Sequence, residues 1–270
     1  MLSEIQQVEL EAIKLIKAAL EEENIPFLLR GGSVMGAVKY QGFIPWDDDM
    51  DIMIPRRYFS EAIIALQRNA NLNMHFYVAS YKNGDEIHSY IPRLLVSEEY
   101  RKLKKLPQNN HLGLTIVDIL PLDRVPTNPI FKFLFVNYVR IIRMFGAVWS
   151  LDVTDSISNF SSKRERVLNM LRKIGVTKFY TQNQTYNYID KVYTWVDGHS
   201  SKGIGNITGS LFDRELFDHD VFLPAKYVEF EDTILPVPGE YDAYLKQLYG
   251  DNYATYEPEY KKSHLESHRS

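Results

Sequence analysis

The sequence predicts an α+β protein: a mixed sheet with its helices over residues 1–122, and a largely helical part over 123–270 packed on that core. Two observations carry the expectation. As far as Pro121, short apolar runs bounded by glycine or proline alternate with stretches of helical periodicity; beyond it the apolar spacing is mostly helical. A chain of 270 residues with 45% hydrophobic and 13% aromatic content can also bury a sizeable core, and it carries no internal repeat.

In order along the chain, Ile5, Val8, Ala12, Leu15, Ile16, Ala19 and Leu20 recur at helical spacing, which predicts a helix from Ser3 to Glu22 ended by Pro26. The run Phe27 to Leu29 is a strand that meets Gly31-Gly32-Ser33. A second helix is expected over Val34 to Lys39, with Ser33 near its cap. Met50 to Ile54 reads as a strand closed by Pro55, with a helix from about Tyr58 to Arg68 behind it. Strands are expected at Met74 to Ala79, Tyr90 to Val96 and Leu114 to Leu120. Helices follow at about Phe131 to Phe145, Lys163 to Ile174 and Thr185 to Val196, then a looser region around Gly203, Gly205 and Gly209. Apolar residues return at Tyr227 to Val237, and Tyr241 to Tyr249 is a final helix capped by Gly250.

Charge and composition exclude some classes. A net charge of −4 argues against a general nucleic-acid binder, which needs a basic excess to neutralise phosphates. With no cysteine, disulfides and thiolate-bound zinc are ruled out. The lack of a signal peptide over Met1 to Leu20 points to the cytoplasm. No stretch reads as a clean membrane span. The nearest is Pro129 to Leu151, interrupted by Lys132, Arg140 and Arg143; it is expected to be an internal helix or to dock on the inner face of a membrane, its basic residues meeting anionic headgroups.

The chemistry is concentrated in Trp46-Asp47-Asp48-Asp49-Met50-Asp51-Ile52. On a strand, the period of two puts Asp49 and Asp51 on one face while Met50 and Ile52 point into the core. Two carboxylates about 4 Å apart repel by about 4 kcal/mol at an effective dielectric of 20, a repulsion that a divalent cation bound by both removes. Oxygen ligands favour Mg2+, or Mn2+, over zinc. Gly31-Gly32-Ser33 can bring backbone N–H groups and a helix N-terminus up to a phosphate. Asp118 lies inside the apolar run Thr115-Ile116-Val117-Asp118-Ile119-Leu120 and so needs a partner: a metal shared with Asp49 and Asp51, a salt bridge or a hydrogen bond.

Glycine-serine at a helix start, an Asp-X-Asp strand and a third acid on a neighbouring strand together resemble the DNA polymerase beta-like nucleotidyltransferase pattern. The likeness is closer to one family. Gly31-Gly32-Ser33-Val34-Met35-Gly36-Ala37-Val38-Lys39, continued by Gly42-Phe43-Ile44-Pro45-Trp46-Asp47-Asp48-Asp49-Met50-Asp51-Ile52, resembles the signature of the LicD family of phosphotransferases. So do Val117-Asp118-Ile119-Leu120-Pro121-Leu122-Asp123 and the run from Tyr241 through Tyr249-Gly250-Asp251 to Pro258. Ser33 stands where threonine is usual, Leu120 replaces the commoner phenylalanine, and Arg30 is unexpected before the glycines.

The resemblance implies a nucleotidyltransferase-like core and transfer of phosphocholine from CDP-choline to a sugar hydroxyl of a cell-surface glycan precursor, such as teichoic acid or lipopolysaccharide, with release of CMP. The wider family, which includes fukutin-related protein, handles other groups such as ribitol phosphate. The implied acceptor is a lipid-linked or free glycan. Asp49, Asp51 and Asp118 are assigned as metal ligands and catalytic residues, Asp118 alternatively as general base. Gly31, Gly32, Ser33, Lys39, Asp48 and Arg93 are the expected substrate-binding residues, although Lys39 equally reads as a solvated lysine and Arg93 as a partner for an acid. Tyr40 and Trp46 could face a quaternary ammonium or pack the loop. His264 and His268 have a metal-binding spacing near the tail, and Tyr241, Tyr244, Tyr249 and Tyr253 read as packing aromatics. A glycosyltransferase using Asp-X-Asp for a nucleotide sugar, and a non-catalytic scaffold of the same fold, are the competing readings.

Overall fold

The computed structural model describes residues 2–152, 162–199, 202–209 and 214–257; Pro258, His264 and His268 lie outside the described residues. Helix α1 (Glu4–Glu22) starts on a reciprocal cap, in which Ser3 Oγ accepts from the Gln6 N–H and the Gln6 side chain accepts from the Ser3 N–H. Such a cap is worth about 1 kcal/mol. The helix buries Val8, Ala12, Ile13, Ile16, Ala19 and Leu20 against the sheet.

Strand β1 (Leu28–Leu29) leads into α2 (Gly31–Tyr40), then come β2 (Met50–Pro55), α3 (Arg56–Arg68), β3 (Phe76–Ala79), β4 (Arg93–Val96), α4 (Glu98–Leu103) and β5 (Leu114–Val125). The sheet runs β1-β2-β5-β4-β3; β2 and β5 are parallel, and the other pairs are antiparallel. The mixed sheet is therefore as expected, but β5 does not stop at Leu120. Ile119 N–H bonds to the Pro92 carbonyl on the β4 side, and β4 ends at Arg93 opposite Asp118. Two residues on, Pro121 turns its missing N–H to that same side, where the strand partner has ended, so the proline costs no ladder bond.

The end of β5 pairs instead with β6 (Gly203–Gly205), which pairs with β7 (Leu216–Asp218). The glycine-rich region expected to be loose is thus partly sheet. A Cβ at Gly205 would stand 1.9 Å from the Glu215 carbonyl oxygen, so the close strand approach requires glycine there. The expected division between residues 122 and 123 falls inside β5, and Asp123 pairs with Gly205 in the ladder.

Helices α5 (Pro129–Ala147), α6 (Ser162–Lys173) and α7 (Gln182–His199) form the helical part. Phe135, Val139 and Ile142 of α5 bury against Tyr186, Ile189 and Tyr193 of α7, over Val125 and Ile207. By length and composition Pro129–Leu151 suffices to cross a bilayer, with a mean hydropathy of 1.3, which revises the sequence reading. In this fold it is one wall of a core, and 44% of its most apolar window is buried. The hairpin of β8 (Lys226–Phe230) and β9 (Thr233–Val237) precedes the last helix, α8 (Tyr241–Tyr249), whose Tyr244, Leu245 and Leu248 enter the same core as α1.

A buried ionic cluster ties the helical part to the sheet. Arg56 Nε donates to Asp123 Oδ1 at 2.6 Å and Arg56 Nη1 to Asp190 Oδ1 at 2.9 Å, while the Tyr90 hydroxyl donates to Asp190 at 2.7 Å. Asp123 is fully buried and Arg56 is 8% exposed, so neither charge is tolerable without the other.

Candidate active site

The parallel pairing of β2 and β5 sets Asp51 directly opposite Asp118, and β4 adds Arg93 opposite Asp118 on the other side. Asp49, two residues before Asp51, enters the same electrostatic field: burial, then Asp51, Asp47, Asp118 and Asp48, push its carboxyl well above the usual carboxylate range. Asp51 is pushed up to about 6 by burial, against the lowering effect of Arg30 and with the raising effect of Asp118. Asp48 is buried. Behind it the α1 side chain of Glu9 is wholly buried with neither oxygen hydrogen-bonded, and burial followed by Asp49, Asp47 and Asp48 raises its carboxyl too.

Helix α2 points its N-terminus at this cluster. It begins at Gly31, earlier than the glycine-serine pattern suggested, with Arg30 at the cap position and no side-chain cap. Gly31 takes φ +54°, a left-handed conformation that disfavours any side chain, and a Cβ there would lie 3.7 Å from Asp51 Oδ2. Ser33 is therefore inside the helix and caps nothing; its Oγ accepts the Asp51 N–H at 2.9 Å and braces β2 against α2. Its own O–H remains to donate. At Gly32, a Cβ would come within 3.1 Å of Asp47 Oδ2, so glycine lets the acidic loop approach the helix. Gln6 of α1 secures that loop by donating to the carbonyls of Ile44 and Asp47.

Arginines hold the acids. Arg30 Nη1 donates to Asp51 Oδ2 and Nη2 to Glu215 Oε2, both at 2.6 Å. Arg93 Nε lies 3.0 Å from Asp118 Oδ1, but outside hydrogen-bonding geometry, so each atom is buried with an ionic contact and no hydrogen bond. Among the described residues no three acids stand grouped as a ready metal cage. The donor set nonetheless fits a hard divalent cation. It is all oxygen, the Asp118 charge raises the proton affinity of both Asp49 and Asp51, and the buried Asp118 Oδ1 lacks a hydrogen bond.

Lys39 is not brought here. It sits in the last turn of α2, at the opposite end from Gly31, and pairs with Glu257 at 2.9 Å and with the Tyr256 carbonyl. Tyr40 and Trp46 meet edge to face at 6.2 Å, and the Tyr40 hydroxyl donates to Glu257, so both belong to the packing at that end.

Sequence reasoning missed Glu215, because nothing near it in the chain marks it; only Arg30 shows its purpose. It also took the tyrosines of α8 for packing alone. The Tyr244 hydroxyl accepts the Gly31 N–H at 3.0 Å, closing the first amide of α2, and a Gly31 Cβ would lie 3.5 Å from the Tyr249 hydroxyl. The last helix thus completes the glycine turn.

The family model described as LicD/FKTN/FKRP, nucleotidyltransferase domain, matches residues 24–109, which include α2, the acidic loop, β2 and Arg93. Among curated proteins, the lipopolysaccharide cholinephosphotransferase LicD of Haemophilus influenzae is 25% identical over 260 residues, covering 93% of this chain and 90% of its own length. Both matches agree with the site geometry, and the chain is similar to the LicD family in its nucleotidyltransferase domain and, at lower identity, over most of its length.

Proposed function

We propose that this protein is a metal-dependent phosphotransferase that moves phosphocholine, or a related substituted phosphate, from a CDP-linked donor to a sugar hydroxyl of a cell-surface glycan precursor, releasing CMP. The single observation that carries the reading is the register of Asp51 opposite Asp118 on parallel strands, with Asp49 two residues earlier, just ahead of β2, and the N-terminus of α2 alongside. The similarity to a lipopolysaccharide cholinephosphotransferase supports the cargo and the glycan acceptor.

Asp49, Asp51 and Asp118 would hold a Mg2+ or Mn2+ ion, which would neutralise charge on the donor pyrophosphate and acidify an attacking hydroxyl. The chain's own groups do the rest. The α2 N-terminus, bare of side chains at Gly31 and Gly32, favours a phosphate by its dipole, the Gly31 N–H itself being held by the Tyr244 hydroxyl. The Ser33 hydroxyl can donate to a phosphate oxygen while it accepts from Asp51. Arg93 sets a guanidinium beside Asp118, suited to a phosphate oxygen. Asp118 serves the same ion or takes the proton of the acceptor hydroxyl. The acceptor is a lipid-linked or free glycan reached in the cytoplasm, at the inner face of the membrane.

The test is incubation of the purified protein with a panel of CDP-linked donors, Mg2+ and envelope glycan precursors, reading CMP release and the bond formed. CMP release with a phosphodiester on the acceptor supports the proposal. A glycosidic product from a nucleotide sugar, or no acceptor-dependent CMP from any donor, overturns it.

A further inference from the structure

The helical part carries a feature that the catalytic cluster does not use. The outer side of α5 exposes Ile130 (70%), Leu134 (57%), Tyr138 (41%) and Ile141 (54%), which recur at helical spacing as one stripe. Phe131 and Phe133 of its first turns are also about two-thirds exposed. The neighbouring α7 continues the surface: the Tyr138 and Tyr188 hydroxyls are hydrogen-bonded to each other, and Trp195 is 65% exposed. Between the helices lies a groove of about 310 Å³ lined by Phe135, Tyr138, Lys191, Val192, Trp195 and Val196. Adjoining exposed apolar side chains of this kind mark an interaction surface.

Charge selects the occupant. From Pro129 to Ala147 the chain has three basic residues and no acid. Arg140 is exposed and Lys132 half-exposed, while Lys191 lies at the groove. On α7, Asp190 is turned inward to Arg56 and Lys82, and Asp197 accepts the Arg124 N–H. An apolar and aromatic face with a positive rim complements an anionic lipid surface, where tyrosine and tryptophan sit at headgroup level. Arg143, expected from the sequence to join that rim, does not: its guanidinium donates to the carbonyls of Ile207 and Thr208. The opposite side of α5 packs on α7, so the helix can lie in the interface plane while that core stays closed.

We infer that the α5–α7 face docks this protein on an anionic lipid bilayer, as a peripheral contact. The inference stands independently of the transfer reaction.

Co-sedimentation of the full chain with vesicles of phosphatidylglycerol and phosphatidylcholine, beside phosphatidylcholine alone, at low and high salt, tests it. Binding is expected to the anionic vesicles only, to fall with salt, and to be released by alkaline carbonate. A Lys132→Gln, Arg140→Gln, Lys191→Gln variant should bind roughly fivefold more weakly per charge removed. A Phe131→Ser, Leu134→Ser variant, altering two exposed side chains, should lose binding with its melting temperature unchanged. Should either variant fail to fold, Trp195→Ser is expected to weaken binding in its place. Four results overturn the inference: no binding, equal binding to neutral vesicles, retention through carbonate, or a dimer in solution that Phe131→Ser, Leu134→Ser dissociates.

Discussion

Arg30→Met removes the cation between Asp51 and Glu215, and the structure sets how much that should cost. The Arg30 side chain is 6% exposed and that of Glu215 1%, so the variant strands a carboxylate in the interior. Asp51 keeps about a quarter of its side chain in solvent, and its share is smaller. Breaking one partner of a buried pair costs roughly 3–5 kcal/mol, and the lower end is expected here because the stranded acid can protonate. The pH dependence has a definite sign. In the intact protein burial raises the Glu215 carboxyl while Arg30 lowers it. Without Arg30 only the Tyr244 hydrogen bond still opposes the rise caused by burial, so the folded chain binds a proton that the unfolded chain has already released. Stability then falls as pH rises from the unfolded value towards the folded one, by about 1.4 kcal/mol per unit. The deficit should be nearly complete at pH 8 and much reduced at pH 5. Urea denaturation followed by tryptophan fluorescence at both pH values measures it. The double variant Arg30→Met, Glu215→Met, which removes both charges, should recover most of the loss. A loss under about 1 kcal/mol at pH 8, or a double variant no more stable than the single, would refute the reasoning.

Asp49→Asn and Asp51→Asn should each abolish transfer with the fold intact; more than a few per cent activity at saturating Mg2+ would dismiss them as ligands. Asp118→Asn should do the same, whereas an unfolded variant with full specific activity in its folded fraction would make Asp118 only a structural partner of Arg93. Because the Asp51 carboxyl is raised to about 6 from an ordinary 3.8, its folded form is the better proton binder. Metal-free protein should therefore lose up to about 3 kcal/mol as pH rises from 4 to 7, and Mg2+ should raise the melting temperature more at pH 7.5 than at pH 5. Equal shifts at the two pH values would exclude Asp51 from the ion's ligands. Ser33→Ala should lower kcat/KM for the donor about tenfold, about 1.4 kcal/mol, while Lys39→Ala, remote from Gly31, should change donor kinetics less than twofold. The reverse order of effects would place the phosphate at the other end of α2.

What the sequence determined by itself was local. Helical spacing located α1, the apolar run located β2 with Asp51 in it and Asp49 just ahead of it, and an acid amid apolar residues drew attention to Asp118, because these signals depend on near neighbours in the chain. Only the tertiary structure decided matters that turn on distant partners. Pro121 could stay within β5 because β4 had already ended beside it; Gly203 and Gly205 became strand because β5 had a free edge to offer. Lys39 and Arg143 looked available as charges along the chain, but their partners, Glu257 in one case and the carbonyls of Ile207 and Thr208 in the other, arrive only on folding. Glu215 and Tyr244, more than 180 residues beyond Arg30 and Gly31, carry no local pattern at all. Burial makes them matter, since a guanidinium or helix amide withdrawn from water needs a partner wherever in the chain one can be found.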